Sequence, residues 1–547
     1  MKKILLLFCA LMAGSTLNTY ATHDIGGDIS FVEVTTNTYV VTYSHYNWAG
    51  LSGMSSPIHL QISAPGCNTG RSVPMQFQNE WVAGKVPTTS GLMPYKISVL
   101  QATVTFTAAE ATCKDWLLSV ATHRKGQQSA NLTQTPNQLD IYTEATLKLD
   151  HTIYNGSSPM FDPMNAPVLI ANINQPITLS VAAYDQDGDS LVYRMAAPLT
   201  GHNQPVTNYV SYNTSIVVNP NPLPPYNSTT NQQFAILPNA ASTLSPHYPL
   251  VSYIAPWNTP DPATGIPPKI VNGNQYFILD SLTGALTFNP IISDSSGNNI
   301  YLASFQVDEF RRINGVATKI GSVRRETIIV VGDAGQNNNP TLTNTRLNNA
   351  PVQPNTILTV SPGSTLSLQV DADDLNAADS VYLKTNATTA LQGATVTIGG
   401  AQRQTATITW TPTAAQVRSQ PYYLRIWARD NASPFSGSRV ETIALRVSNS
   451  GAVSGISSDK QLTSFLAFPN PSRGEVSFRV KAANMPQEII IYNLQGREID
   501  RILVKATSSG EEVVKWERSP QFATGTYLAK LISENKITQT LKFTKLQ

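Results

Sequence analysis

The sequence predicts an all-β chain, a row of tandem antiparallel β-sandwich modules in an elongated array. Two observations lead there first. Apolar residues recur at every second position in short runs, as where Val476, Phe478 and Val480 alternate with Ser477, Arg479 and Lys481. That period places one face of a strand in a core and the other in water. Between the β-rich runs of the first region no helix-period pattern of useful length intervenes. The third observation is length with repetition. A chain of 547 residues is too long for one core, and four blocks of the region 158–333 return in the same order in the region 340–448.

Composition sets the outer bounds. Charged residues are 13% of the chain and the net charge is +2, which argues against nucleic-acid binding, since that needs a concentrated basic face. Met1-Lys2-Lys3 followed by the apolar run 4–12 reads as a signal peptide over 1–21, with Thr19-Tyr20-Ala21 before the cut. No later stretch reaches about 18 apolar residues, so no transmembrane segment is expected. Removal of the signal leaves Cys67 and Cys113. An isolated pair in an oxidising compartment most often forms a disulfide, and two separately buried thiols are the alternative.

The first region, 22–157, opens His23-Asp24-Ile25-Gly26-Gly27-Asp28. A strand to Val34, a Thr-Thr-Asn turn and a returning strand from Thr38 come next, and Trp48 and Trp116 are candidate core residues. Further runs lie at 57–63, 97–107, 116–122 and 141–149. The second region, 158–333, has the layout of an immunoglobulin- or cadherin-like module: a strand at 177–183, the turn Asp185-Gln186-Asp187-Gly188-Asp189, and a returning strand at 191–195. It contains a Pro- and Asn-rich insertion at 201–274, far longer than an ordinary connection and the expected binding surface. The third region, 340–448, repeats the second in compressed form. A Ser- and Gly-rich linker at 449–462 leads to a last sandwich at 463–547.

The Asp-x-Asp-Gly-Asp turn is the sharpest chemical signal. Alternate carboxylates on a tight turn direct several oxygens at one centre, which suits a hard cation with six to eight oxygen ligands. Asp185, Asp187, Asp189 and Asp308 are the candidate Ca2+ ligands, and Asp308 and Glu309 end a strand that could reach the same pole. The EF-hand pattern fails, because Gly188 is at the fourth position and Ala196 at the twelfth. The alternative is a turn whose carboxylates accept backbone N–H bonds. Catalytic motifs are missing from the sequence: it has no His-Glu-x-x-His, no Gly-x-Ser-x-Gly and no P-loop.

Two resemblances add to this reading. The last eighty residues, through Phe468-Pro469-Asn470-Pro471-Ser472-Arg473-Gly474, IYNLQGREI and GTYLAKL, resemble the type A C-terminal sorting domain of the type IX secretion system. The positions that carry the match are Pro469, Asn470, Pro471, Gly474, Gly496, Gly525 and Tyr527. The resemblance implies export across an outer membrane through that machinery, cleavage of the domain, and attachment to surface polysaccharide or release. The mature N-terminus, with HDIGG, CKDWLLSVATHRKG and LDIYTEATLKLDHTIYNGSSPMF, resembles large gliding-motility-associated surface proteins.

The expected function is therefore that of a secreted, multi-module surface protein, an adhesin or gliding-associated protein with an extracellular protein or glycan ligand, and not an enzyme. One alternative is a carbohydrate-binding accessory protein using Trp48, Trp257 or Trp427 as sugar platforms. A secreted hydrolase split over β-domains is the third reading.

Overall fold

The computed structural model describes residues 24–545 with breaks, the longest at 219–233, 255–269 and 450–464. It is nearly all strand, and it divides into two compact units, 1–453 and 454–547. The expected signal peptide and most of the linker at 449–462 lie outside the described residues, as do Pro469, Asn470, Pro471, Gly474 and Gly496.

The N-terminal hairpin forms as its pattern dictates. Asp24–Thr35 pairs with Thr38–Trp48, and Asn37, at a φ of 61°, makes the left-handed corner that Asn tolerates. Thr38–Trp48 pairs in turn with Gly91–Thr105, and that strand with the edge strand Gln76–Thr88. His59–Ala64, Asp115–His123 and Asp140–Lys148 complete the other side. Phe31, Tyr39, Val41, Leu60, Trp116 and Leu118 share one buried core. Cys67 and Cys113 are joined, with Cα atoms 6.2 Å apart.

The two halves of this sheet meet through a strand nearly 300 residues further along. The hairpin Ile300–Ile313/Val316–Gly332 is long, and the second strand uses its free edge three times. Ser322 and Val323 pair with Thr146 and Ala145, Arg325 and Glu326 pair with Asp28 and Gly27, and residues 328–332 run parallel to Val168–Asn172. One sheet thus crosses the boundary expected at 157/158. Gly26 makes the approach possible: a Cβ there would lie 2.1 Å from the carbonyl oxygen of Glu326. Buried on both faces, the strand carries charges that need partners, and Arg325 finds Asp28 at 2.7 Å.

The turn at 185–189 does not return its chain to the same sheet. Ile177–Ser180 pairs with Ala285–Phe288, whereas Ser190–Ala196 pairs with Ile300–Ile313. The turn therefore crosses from one layer of the sandwich to the other. Residues 341–447 repeat this plan around a core of their own. Leu366–Asp373 pairs with Thr405–Trp410, Val381–Thr385 with Tyr422–Asp430, and Tyr422–Asp430 with Ser438–Val447. Ile357–Val360 lies parallel to Ser438–Val447, as Val168–Asn172 lies to Val316–Gly332. Both modules therefore share the same pairings, including the parallel strand.

The insertion is tied down at its described parts. Tyr248 and Tyr253 are buried and pack edge to face, and Asn289 donates to the carbonyl of Tyr253. These buried rings order the described parts of the insertion.

The C-terminal unit packs a three-stranded sheet against a four-stranded one. Trp516, Tyr527, Phe478 and Phe543 fill its core. Gly525 opens the strand Gly525–Ser533, on which Tyr527 lies.

Candidate functional site

The crossing turn brings Asp185, Asp187 and Asp189 together with Glu309, each offering a carboxylate oxygen within 4.8 Å of the others. Asp308, expected in this set, is not in it. Successive side chains of a strand point to opposite faces, so Glu309 faces the turn while Asp308 faces away. There Asp308 meets Arg194 at 2.9 Å and Lys319 at 2.7 Å. These partners, together with Gln306, outweigh burial and hold its carboxyl below the usual range. Glu309, named with Asp308 at the end of this strand, is the one that joins the cluster; only the face of the strand distinguishes the two.

Each carboxylate of the turn has a defined contact. Asp185 Oδ1 accepts the N–H of Asp189 at 2.7 Å, a turn bond that closes the loop. Asp187 Oδ2 accepts the N–H of Ser157 at 2.6 Å. Arg311 grips Asp189 with Nε and Nη2, at 2.9 and 2.5 Å. Two oxygens remain without a partner: Asp185 Oδ2 and Oε1 of Glu309, which is 3% exposed. Burial, then the neighbouring aspartates, push Asp185 up to about 6. Burial, then Asp185 and Asp189 beside it, lift Glu309 far above the ordinary carboxyl range. Its burial beside Asp185 and Asp189, with Arg311 the one guanidinium on the cluster among the described residues, favours the protonated form of Glu309.

A polar groove of about 710 Å³ opens beside this cluster, lined by Glu33, Thr35, His151, Ser157, Asp187 and Arg311. His151 and Glu33 face each other there at 3.3 Å. Beside the Arg311 guanidinium, all four groups that could ligate an ion offer oxygen, and two of those oxygens are orphaned, so the residues fit a hard divalent cation. Such an ion would supply the positive charge that Arg311 provides only in part.

The tryptophans expected as sugar platforms are differently placed. Trp48 is 4% exposed, inside the core with Tyr46, Val86 and Tyr95, so no ring can stack on it. Trp427 is half-buried and Trp257 lies outside the described residues. The exposed indole among the described residues is Trp81, on the edge strand. Its polar, irregular run gave no alternation to mark it.

Residues 466–545 match the family model described as the secretion system C-terminal sorting domain. The C-terminal unit carries a sorting domain. This sorting domain indicates secretion and a cell-surface or extracellular location, and it implies contact with the secretion machinery. No curated protein matches the chain. Among solved structures, human protocadherin-24 EC1-2 overlaps 53% of this chain and 97% of its own, at 14% identity and a TM-score of 0.15. The D00-D0 domain of intimin overlaps 38% and 100%, at 16% identity and a TM-score of 0.15. An endo-fucoidan hydrolase of glycoside hydrolase family 107 overlaps 74% and 42%, at 12% identity and a TM-score of 0.13. Overlaps this shallow establish no relationship. Among the described residues no helix is long and apolar enough to cross a membrane.

Proposed function

We propose that the chain is a type IX-exported surface protein whose residues 22–448 form a β-modular passenger that binds an extracellular protein or glycan, in adhesion or gliding, rather than an enzyme. The observation that carries this reading is the sorting domain at 466–545, set in a compact unit of its own. A self-contained address leaves the rest of the chain as cargo. The passenger's shared plan of sandwich modules supports a presenting role, because rigid sheets hold loops in fixed positions. The reading also assigns a calcium ion to Asp185, Asp187, Asp189 and Glu309. Its entry would displace the proton on Glu309, so binding would weaken as pH falls.

The test fuses residues 454–547 to a folded fluorescent reporter in a bacterium that has this secretion system. Surface fluorescence sensitive to added protease is expected, and a chain lacking 454–547 should stay in the periplasm. Equal export with and without the segment overturns the assignment. Loss of cell attachment on deleting the whole gene, restored by the full chain, is the expected phenotype. Unchanged attachment and motility would remove the adhesive reading.

A further inference from the structure

The four-carboxylate turn of the second module has a counterpart at the head of the third, and its surroundings differ. Asp374, Asp379 and Asp430 offer carboxylate oxygens within 4.8 Å of one another. Asp430 ends the strand Tyr422–Asp430, while Asp374 and Asp379 lie between Leu366–Asp373 and Val381–Thr385. Like the first cluster, the group therefore sits where the chain crosses between layers.

Three features single it out. Asp374 is 9% exposed; its Oδ1 accepts the N–H of Asn376, and its Oδ2 is buried with no partner. A second orphan belongs to a residue bonded to Asp430. Asn337, in the connection from Gly332, donates its amide N–H to Asp430 Oδ2 at 2.9 Å and to the carbonyl of Phe435 at 3.2 Å. Its Oδ1 is buried and also has no partner. Two orphaned acceptors beside a carboxylate group cannot satisfy each other; a donor or a cation satisfies both.

The third feature is charge. In the second module Arg311 lies on Asp189. Here the nearest guanidinium, Arg403, donates to the backbone carbonyls of Asp374, Asn376 and Asp379, and its Nε approaches Asp373 at 3.6 Å. Among the described residues no Lys or Arg forms an ion pair with Asp374, Asp379 or Asp430. Three carboxylates, two of them buried, thus share one spot with no cation paired to them directly, Arg403 acting on Asp374 only through space.

We propose that Asp374, Asp379, Asp430 and the amide oxygen of Asn337 form a second hard-cation site, taking Ca2+, which fastens the inter-module connection onto the third module. All four donors are oxygens, and the carboxylates can bind through one or two atoms, which suits the irregular sphere of calcium better than the strict octahedron of magnesium. The connection is already hydrogen-bonded on both sides. Asn338 donates to Asn376 Oδ1, and the N–H of Asn339 donates to Gln175 Oε1 of the second module. An ion held by Asn337 would add the one link that depends on solution conditions. This site is independent of the calcium assigned to Asp185–Asp189.

Calcium titration of the mature full chain by calorimetry tests the proposal, with hydrogen exchange of residues 333–340 as a local readout. Asp379→Asn is the variant of choice, because the side chain of Asp430 anchors the 432–437 turn and its loss could unfold the module. Asn337→Ala is the second variant. In the parent, 5 mM calcium should slow exchange of the connection at least tenfold. Asp379→Asn and Asn337→Ala should each weaken that protection at least fivefold, while Asp187→Asn leaves it unchanged. The proposal is overturned if calcium leaves exchange in the connection unaltered, or if Asp187→Asn alone removes the protection. It falls as well if Asp379→Asn and Asn337→Ala retain the parental response. Melting curves without calcium check that each variant folds.

Discussion

Replacing Arg325 by leucine tests whether the first two regions are one folding unit. Arg325 and Asp28 are each 5% exposed. Nε and Nη2 of Arg325 both donate to Asp28 Oδ2, at 2.9 and 2.7 Å, and Tyr46 donates its hydroxyl to the same oxygen. The guanidinium lies 4.1 Å from the ring centre of Phe161 and 5.7 Å from that of Tyr46. Leucine would fill part of the space but leave a buried carboxylate held by one hydroxyl. Breaking a buried pair from one side costs about 3–5 kcal/mol. Asp28→Asn added to Arg325→Leu removes the stranded charge yet keeps an acceptor for Tyr46. The double variant should regain about 1–2 kcal/mol of the loss, since only neutral hydrogen bonds remain to be matched. Urea unfolding gives the totals, and hydrogen exchange shows where protection is lost. Because Asp28 and Arg325 are register partners, the strands Asp24–Thr35 and Val316–Gly332 should lose protection together. A loss below 1 kcal/mol, or one confined to Val316–Gly332, would refute the reasoning.

Three further outcomes are expected. With calcium chelated, parental stability should fall as pH rises above about 4.5, because folded Glu309 keeps a proton that the unfolded chain releases. Glu309→Gln should flatten most of that slope between pH 5 and 9, leaving smaller contributions from Asp185, up to its value of about 6, and from Asp374, Asp430 and Glu441, which burial also raises; parallel melting curves for parent and variant would contradict the account. Replacing Cys67 and Cys113 by serine opens a loop of 46 positions and should cost about 4 kcal/mol in the chain-entropy model, read from urea midpoints; no change on reduction would count against it. Gly332→Ala would place a Cβ 1.7 Å from the ring of Phe435 and should cost about 1–3 kcal/mol by overpacking. Truncating Phe435 to alanine in the same chain should restore most of it.

Much of the fold was legible because its signals are local. The hairpin from Asp24, the block repeat between the second and third modules, and the aromatic pattern of the last sandwich all follow from alternation and turn residues. Pairing across long separations was not legible. Nothing in Arg325-Glu326-Thr327 shows that its neighbour is Gly26-Gly27, because a two-residue contact leaves no period. The edge strand Gln76–Thr88 was invisible for a different reason: exposed on much of its length, it lacks the alternation that burial imposes. At the acidic turn the sequence marked the loop and both strand-end carboxylates but not which of the two faces it, since Asp308 and Glu309 differ only in which face they take. The second acidic group lay deeper still. Its decisive members, Asn337 and Asp430, are 93 positions apart, and an orphaned oxygen cannot be seen without coordinates.

The placement of Val316–Gly332 has a consequence for how the protein is made. A ribosome finishes the hairpin from Asp24 nearly 300 residues before the strand that covers its edge exists. At about 5–20 residues per second that interval lasts some 15 to 60 s. Throughout it, the bare backbone of Gly26-Gly27 and the carboxylate of Asp28, still without its guanidinium, disfavour closure of the sheet. The first region should therefore stay unfinished until the chain has emerged past Gly332.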